Sequence, residues 1–177
     1  RCMVVVDDSG IQAGAMTSGG GYRIRRAEQV ALEQKLPFVH LVESAGGDLL
    51  NYTVEGFSEG GRLFGNLALL SAAGIPVISI LHGSSTAGGA YMPGLSDYVV
   101  AVKGRGRAFL AGPPLLRAAT GEIATEEELG GAEMHASVSG LAEYLAEDDG
   151  HGVLICREVV KCRLPIRTAA HVRRARV

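Results

Sequence analysis

The sequence predicts an α/β protein whose strands run parallel and are joined by helices. Three observations predict it. Short β-branched runs, MVVVDD (3–8), FVHLVES (38–44) and PVISILHG (76–83), alternate with longer stretches whose apolar residues recur at helical spacing. Strands separated by such crossovers pair in parallel. The composition agrees: 47% of the 177 residues are hydrophobic, 25 are glycine and none is tryptophan, which suits close backbone approaches better than a coiled coil or a disordered chain.

After the first run, the spacing predicts a helix over 22–36, ended by Pro37, with Ala27, Val30, Ala31 and Leu32 on one face and Arg23, Arg25, Arg26 and Glu28 in water. A second helix is expected from about Glu59 to Ala73, with Leu63, Leu67 and Leu70 inward, Gly65 and Ala68 allowing close packing, and Gly74 at its C-terminal cap. Beyond the third strand, Ser84, Ser85 and Thr86 can cap a short helix from Ala87, followed by a strand DYVVAV (97–102). In GPPLLRAATGE (112–122), Pro113 or Pro114 suits a helix start. Thr125 and Glu128 have capping-box spacing, and LAEYLAEDDGHGVLICREVV (141–160) reads as a last helix or pair broken near Gly150 and Gly152. One domain over 1–160 and a tail over 161–177 complete the organisation.

The totals exclude several classes. With 17 Lys+Arg against 19 Asp+Glu, the net charge of -2 favours neither nucleic acid nor an anionic membrane. Basic residues concentrate in RTAAHVRRARV, which reads as a solvated end. Cys2, Cys156 and Cys162 form no C-x-x-C pair, so neither a disulfide framework nor a zinc site is indicated and a reducing compartment fits. No apolar run approaches the ~20 residues that span a bilayer. The chain opens on Arg with no leader pattern, so it reads as an internal fragment or a renumbered chain.

Two chemistries are open at LHGSSTAGGAY (81–91). Gly83, Ser85 and Ala87 give G-x-S-x-A between a strand and a helix, close to the elbow that carries a nucleophilic serine, with Asp97 and His135 or His151 later in the chain. The elbow motif fails at its last position. Alternatively, Gly88 and Gly89 at the first turn of a helix offer N–H groups without intrahelical partners, able to hold an oxygen on which negative charge develops. A second glycine-rich strand end, ESAGGDL (43–49), adds Ala45, Gly46 and Gly47. His135 reads as a satisfied core or interface histidine.

Taken in order, GSSTAGGAYMPGLSD (83–97), FLAGPPLLRAATGE (109–122), EEELGGAEMHASVSG (126–140) and LAEDD (145–149) resemble the carboxyltransferase (β) subunit of biotin-dependent acyl-CoA carboxylases, in particular its methylcrotonyl-CoA and geranyl-CoA branch, over Cys2–Val160. The resemblance implies a crotonase-like (ClpP/crotonase) fold of stacked ββα units, of which this chain would be part of the N-terminal, acyl-CoA-binding domain. It implies transfer of a carboxyl group from carboxybiotin to an acyl-CoA resembling 3-methylcrotonyl-CoA. Gly88 and Gly89 would bind the thioester oxygen, with Ala87 and Ala90 as small neighbours and Tyr91 beside the acyl-CoA or biotin. Ala45, Gly46 and Gly47 match the family's D-S-G-G stretch loosely, since Glu43 replaces its Asp and Ala45 is inserted. Gly112, Pro113 and Pro114 would lie near the acyl pocket and a subunit contact. Arg23, Arg25 and Arg26 stand where the family has lysines, facing either CoA phosphates or water.

The implied partners are acyl-CoA, a biotin carboxylase or biotin carrier subunit, and further copies bearing the C-terminal carboxyltransferase domain. Biotin would sit on a separate subunit or domain, because no A-M-K-M motif is present, and no metal is implied. The compartment would be bacterial cytoplasm or the mitochondrial matrix, and the fragment would be inactive alone. A serine hydrolase using Ser85 and a non-catalytic CoA-binding or assembly module are the alternatives.

Overall fold

A computed structural model describes residues 1–162 of the chain, so of the tail expected from Lys161 all but two residues lie outside the described residues. In chain order the elements are β1 (Met3–Val6), a 3-10 turn (Gln12–Gly14), α1 (Ser18–Gln34), β2 (Phe38–Val42), α2 (Val54–Gly60), α3 (Arg62–Ala72), β3 (Val77–Leu81), β4 (Ser84–Thr86) and α4 (Gly88–Gly94). There follow β5 (Tyr98–Val102), β6 (Arg107–Phe109), α5 (Pro113–Thr120), α6 (Glu126–Gly130), α7 (Ala132–Met134), a π turn (His135–Ser139), β7 (Tyr144–Ala146) and α8 (Asp149–Lys161).

Five strands form one sheet in the order β1-β2-β3-β5-β7, every pair parallel. The expected α/β architecture with a parallel sheet is therefore what the chain adopts. Alternate residues divide the sheet into two faces. Met3, Val5, Phe38, Val42 and Val77 pack with Ile24 and Ala31 of α1 and Leu63, Leu67 and Leu70 of α3. On the other face Val39, Ile78, Ile80, Val100 and Val102 pack with Cys156 and Val159 of α8. Burying each such aliphatic side chain stabilises by about 1.5–3 kcal/mol, which explains why β3, covered on both faces, is apolar at four of its five positions.

Helix ends follow local chemistry. α1 begins four residues before the expected Tyr22, because Thr17 accepts the N–H of Gly20 at 3.1 Å. It ends at Lys35 in a left-handed turn, with Leu36 N–H returning to Ala31 O and Pro37 beyond. Gly74 closes α3 with φ +71, as expected, whereas 54–72 is two helices, α2 capped by Thr53 and α3 from Arg62.

Four expectations are corrected. Ser84–Thr86 caps nothing: it is strand β4, paired parallel with β6. Gly65 and Ala68 are exposed, so the close packing of α3 is carried by its leucines. Glu28 lies in the stripe Gly21, Ile24, Glu28, Ala31 and is fully buried rather than wet. Residues 144–146 form strand β7, and α8 starts after the cap Asp148 with Gly150 and Gly152 inside it. Gly152 suits that place, since a Cβ would make a tight contact of 3.3 Å with Ile80 Cγ2. The capping box of Thr125 and Glu128 is present in full.

Candidate functional site

The carboxyl ends of β1, β2 and β3 deliver three irregular segments to one place. After β2 the chain runs through Ser44 to Gly47. Ala45 N–H donates to Ala13 O at 3.1 Å, Ser44 Oγ donates to Gly14 O at 2.8 Å, and Met16 N–H donates to Gly46 O at 2.7 Å. The 12–16 loop thus clasps the 44–47 loop, and it does so at a backbone cost: Gln12 and Ala13 both hold φ near +50.

On its other side the 44–47 loop lies against 84–89. Ser44 N–H donates to Ser84 O at 3.1 Å, and Thr86 N–H donates to Ser44 O at 2.8 Å. Gly46, at φ +87, stands so close that a Cβ would be 3.1 Å from Thr86 O and 3.3 Å from Ala87 Cβ. Gly89 is tighter still, with a would-be Cβ 2.7 Å from Ser44 O. The two glycine-rich strand ends are therefore one structure.

Ala87 turns the chain from β4 into α4 at φ 49, ψ -118, and its N–H is taken by Phe109 O at 3.2 Å. The next two N–H groups, of Gly88 and Gly89, have no acceptor among the described residues, as does that of Gly47. Backbone donors at a helix start, unblocked by side chains, can hold an oxygen that is acquiring negative charge. Because a non-glycine residue in Ala87's conformation costs on the order of 1–3 kcal/mol, Ala87→Gly is expected to raise the melting temperature by about 2–4 °C in thermal unfolding.

Tyr91 is half exposed, its ring 5.3 Å from that of Phe64 in an edge-on contact, and Phe64 Cζ is 3.8 Å from a Cβ built on Gly88. Phe64 thus walls the site from α3, and its only sequence signal is that it lies off the Leu63, Leu67, Leu70 stripe. Ala90 packs beneath, against Leu81, Val99 and Ala101. Gly112 caps α5 with Pro113 at its first position, and the segment is tied to the glycine pair through Phe109. Asp48 closes the second loop by accepting from the Asn51 side chain and the N–H groups of Leu50 and Asn51, which holds its carboxyl below the usual range, the Asn51 side chain contributing most.

Ser85 is in a different position from a nucleophile. Its side chain is 0% exposed inside β4, and its Oγ has no hydrogen-bond partner among the described residues, so no base reaches it. His135 is held by Ala108 O at 2.8 Å and Ser139 Oγ at 2.7 Å, a buried structural tie to β6. His151 serves the start of α8, where its Nδ1 accepts the N–H of Glu147. Arg25 pairs with Glu59 and Arg26 with Glu33, while Arg23 stays exposed. The cavities along α8 and between α1 and α3 are not lined by the glycine pair. Among the described residues no helix is long and apolar enough to cross a membrane, and no cluster of three His, Cys, Asp or Glu could hold a metal ion.

Comparison with known proteins matches residues 1–173 to the carboxyl transferase domain family. The chain is 50% identical over 160 residues to a probable biotin-dependent acyl-coenzyme A carboxylase beta2 subunit of Mycobacterium tuberculosis, covering 90% of this chain and 30% of that protein. It is 44% identical over 163 residues to the mitochondrial methylcrotonoyl-CoA carboxylase beta chain of Arabidopsis thaliana, covering 90% and 28%. Among solved structures, the beta subunit of Pseudomonas aeruginosa geranyl-CoA carboxylase aligns with a TM-score of 0.83 and 55% identity, over 91% of this chain and 30% of that one. These neighbours are carboxyltransferases of the crotonase-like fold, the fold class expected from sequence. The chain spans about 30% of the length of the relatives it matches.

Proposed function

The chain belongs to the carboxyl transferase domain family, and from that membership we propose that it is the acyl-CoA-binding part of a biotin-dependent acyl-CoA carboxylase β subunit, acting on an acyl-CoA of the 3-methylcrotonyl type. One observation carries the reading: the N–H groups of Gly88 and Gly89 have no acceptors among the described residues, on a start of helix that Ser44, Gly46 and Phe109 hold in place. A thioester carbonyl laid on these donors gains their hydrogen bonds most when its α-carbon, or the vinylogous γ-carbon, loses a proton and charge moves onto the oxygen. The missing side chains at both positions let the carbonyl come near, and Phe64 and Tyr91 offer an apolar wall for the acyl chain. Ala45, Gly46 and Gly47 back the donors, and Gly112, Pro113 and Pro114 border them through Phe109.

Carboxybiotin, when present, supplies the carboxyl group. Biotin is assigned to a partner subunit or domain, since the relatives are biotin-dependent and this sequence carries no A-M-K-M motif, and no residue of this chain is given a role toward it. The second wall of the site would come from a C-terminal carboxyltransferase domain of another copy, and the compartment would follow the relatives, mitochondrial in the plant protein. The large exposed side chains of Leu49, Leu50, Val54 and Phe57 support such an assembly.

The test is calorimetric titration of the 177-residue chain with 3-methylcrotonyl-CoA, propionyl-CoA and free CoA. Saturable acyl-CoA binding is expected, lost in Gly88→Pro, which deletes the donor at the first position of α4, and kept in Ser85→Ala. Loss in Ser85→Ala with retention in Gly88→Pro would overturn the reading in favour of the serine.

A further inference from the structure

We infer that His40 is a positioning residue: through Asp7 it fixes the backbone at Glu43, and so the loop against which the glycine pair rests. The inference rests on the reading of Gly88 and Gly89 as a thioester site. His40 lies in the middle of β2, 2% exposed, with its Nε2 3.1 Å from Asp7 Oδ1. The other oxygen of the same carboxylate accepts the N–H of Glu43 at 3.3 Å. Asp7 stands just past the end of β1, so a single carboxylate joins that end to both a side chain and the backbone of the neighbouring strand's exit.

Glu43 is the residue before Ser44, and Ser44 is the surface on which Gly89 sits. Ser44 O accepts from Thr86, and it is also the atom a Cβ on Gly89 would meet first. A movement at Glu43 therefore passes directly into the seat of the donor pair. His40 also lies opposite Ser79 of β3 in the sheet register. Ser79 Oγ is 2.6 Å from Ser96 Oγ, which donates to Met92 O in α4 at 2.9 Å. Ser79 and Ser96 thus tie β3, one strand over from His40, to the helix bearing the glycine pair.

Packing alone does not account for the residue. Phe38 and Val42, on the same strand face, are apolar and fully buried. His40 Nδ1 is buried with no hydrogen-bond partner among the described residues, an arrangement that costs stability and that an aliphatic side chain would avoid. A residue that lowers stability in an otherwise apolar face is expected where a position serves function.

Two substitutions separate the roles. His40→Leu fills a similar volume and removes the donor to Asp7; His40→Gln keeps an amide in reach of Asp7 and lacks the Nδ1 atom. In the 177-residue chain, His40→Leu is expected to speed hydrogen exchange of the Glu43 amide by about tenfold and to weaken 3-methylcrotonyl-CoA binding by about tenfold, the loss of one charge-assisted hydrogen bond, while the melting temperature stays level or rises. His40→Gln is expected to restore both. Asp7→Ala, at a partly exposed position, is expected to reproduce the faster exchange and weaker binding of the leucine variant but to lower the melting temperature, because it leaves His40 Nε2 buried without its partner. The inference is overturned if His40→Leu leaves the Glu43 exchange rate or the affinity unchanged, or if affinity falls only in step with melting temperature and glutamine does not restore it. Should the unsubstituted chain bind no acyl-CoA, the thioester reading fails, while exchange at Glu43 still decides the link from His40 to the loop.

Discussion

Gly89→Ala is expected to abolish acyl-CoA binding and to destabilise the chain, whereas Gly88→Ala is expected to disturb binding with little loss of stability. The difference is steric. A methyl group on Gly89 would lie 2.7 Å from Ser44 O and 2.9 Å from Ser44 Cβ, both parts of a loop fastened on two sides, so neither can withdraw without breaking its hydrogen bonds. Overpacking of that kind costs about 1–3 kcal/mol. On Gly88 the nearest atom is Phe64 Cζ at 3.8 Å, an ordinary contact, so the methyl group is accommodated but narrows the approach to the donors. Melting temperatures and titration of both variants with 3-methylcrotonyl-CoA check the pair. In an assembly reconstituted with the missing domain and a biotinylated partner, Gly88→Pro, which deletes one N–H donor where alanine keeps it, should lower kcat by about 10²–10³. Equal melting temperatures for the two variants would contradict the packing argument, and unchanged affinity in both would contradict the site.

The second large effect concerns Glu28. Its side chain is fully enclosed between α1 and α3; Oε2 accepts from Asn66 Nδ2 at 2.9 Å and Oε1 has no partner among the described residues. Burial lifts its carboxyl from 4.5 to about 8, with the Asn66 hydrogen bond and the Arg25 charge opposing only in part. The folded chain therefore retains a proton that the unfolded chain releases. The Glu28 contribution to stability is greatest below pH 4.5, falls as pH rises from 4.5 to about 8, and levels off above that. A displacement of that size corresponds to roughly 4–5 kcal/mol at the upper end. Glu28→Gln keeps an acceptor for Asn66 and removes the titration. Its melting temperature is expected to match the unsubstituted chain near pH 4.5 and to exceed it by about 10 °C at pH 8. Parallel pH profiles for the two proteins would refute the assignment.

Much of this fold is legible in the sequence, for reasons particular residues make plain. The runs around Val39, Ile78 and Val100 are β-branched because parallel strands covered by helices have little room for anything else. Thr125 and Glu128 announce a helix start because two side chains and two N–H groups satisfy one another locally. Strands β4 and β7 escape detection because three residues contain no period, and both exist only through a partner distant in sequence. Glu28 misleads because charge is the usual sign of a wet helix face, while its place in the stripe with Gly21, Ile24 and Ala31 is the better guide.

At the site, the glycines that matter are visible as letters, but their meeting is not. That Gly46 touches Thr86 and Gly89 touches Ser44 depends on β2 and β3 being neighbours and ending level. Ala13, Gly14 and Phe64 enter the site the same way, from elements whose local pattern says nothing about it. Ser85 illustrates the converse: its motif is local and nearly right, yet a three-residue strand turns its hydroxyl inward.

The all-parallel order of the main sheet also bears on how quickly the chain reaches this state. Met3 pairs with Phe38, Phe38 with Val77, and Val100 with Tyr144, so each step of sheet growth must first close a long loop, and among the described residues no hairpin is available as a nucleus. Such topologies fold slowly and leave unpaired strand edges exposed while they do. The central β3, apolar at nearly every position, is then the most aggregation-prone segment of the nascent chain. Yield on refolding will consequently depend on concentration and temperature more than on final stability, and a substitution that strengthens the native state without speeding β2–β3 pairing will not improve it.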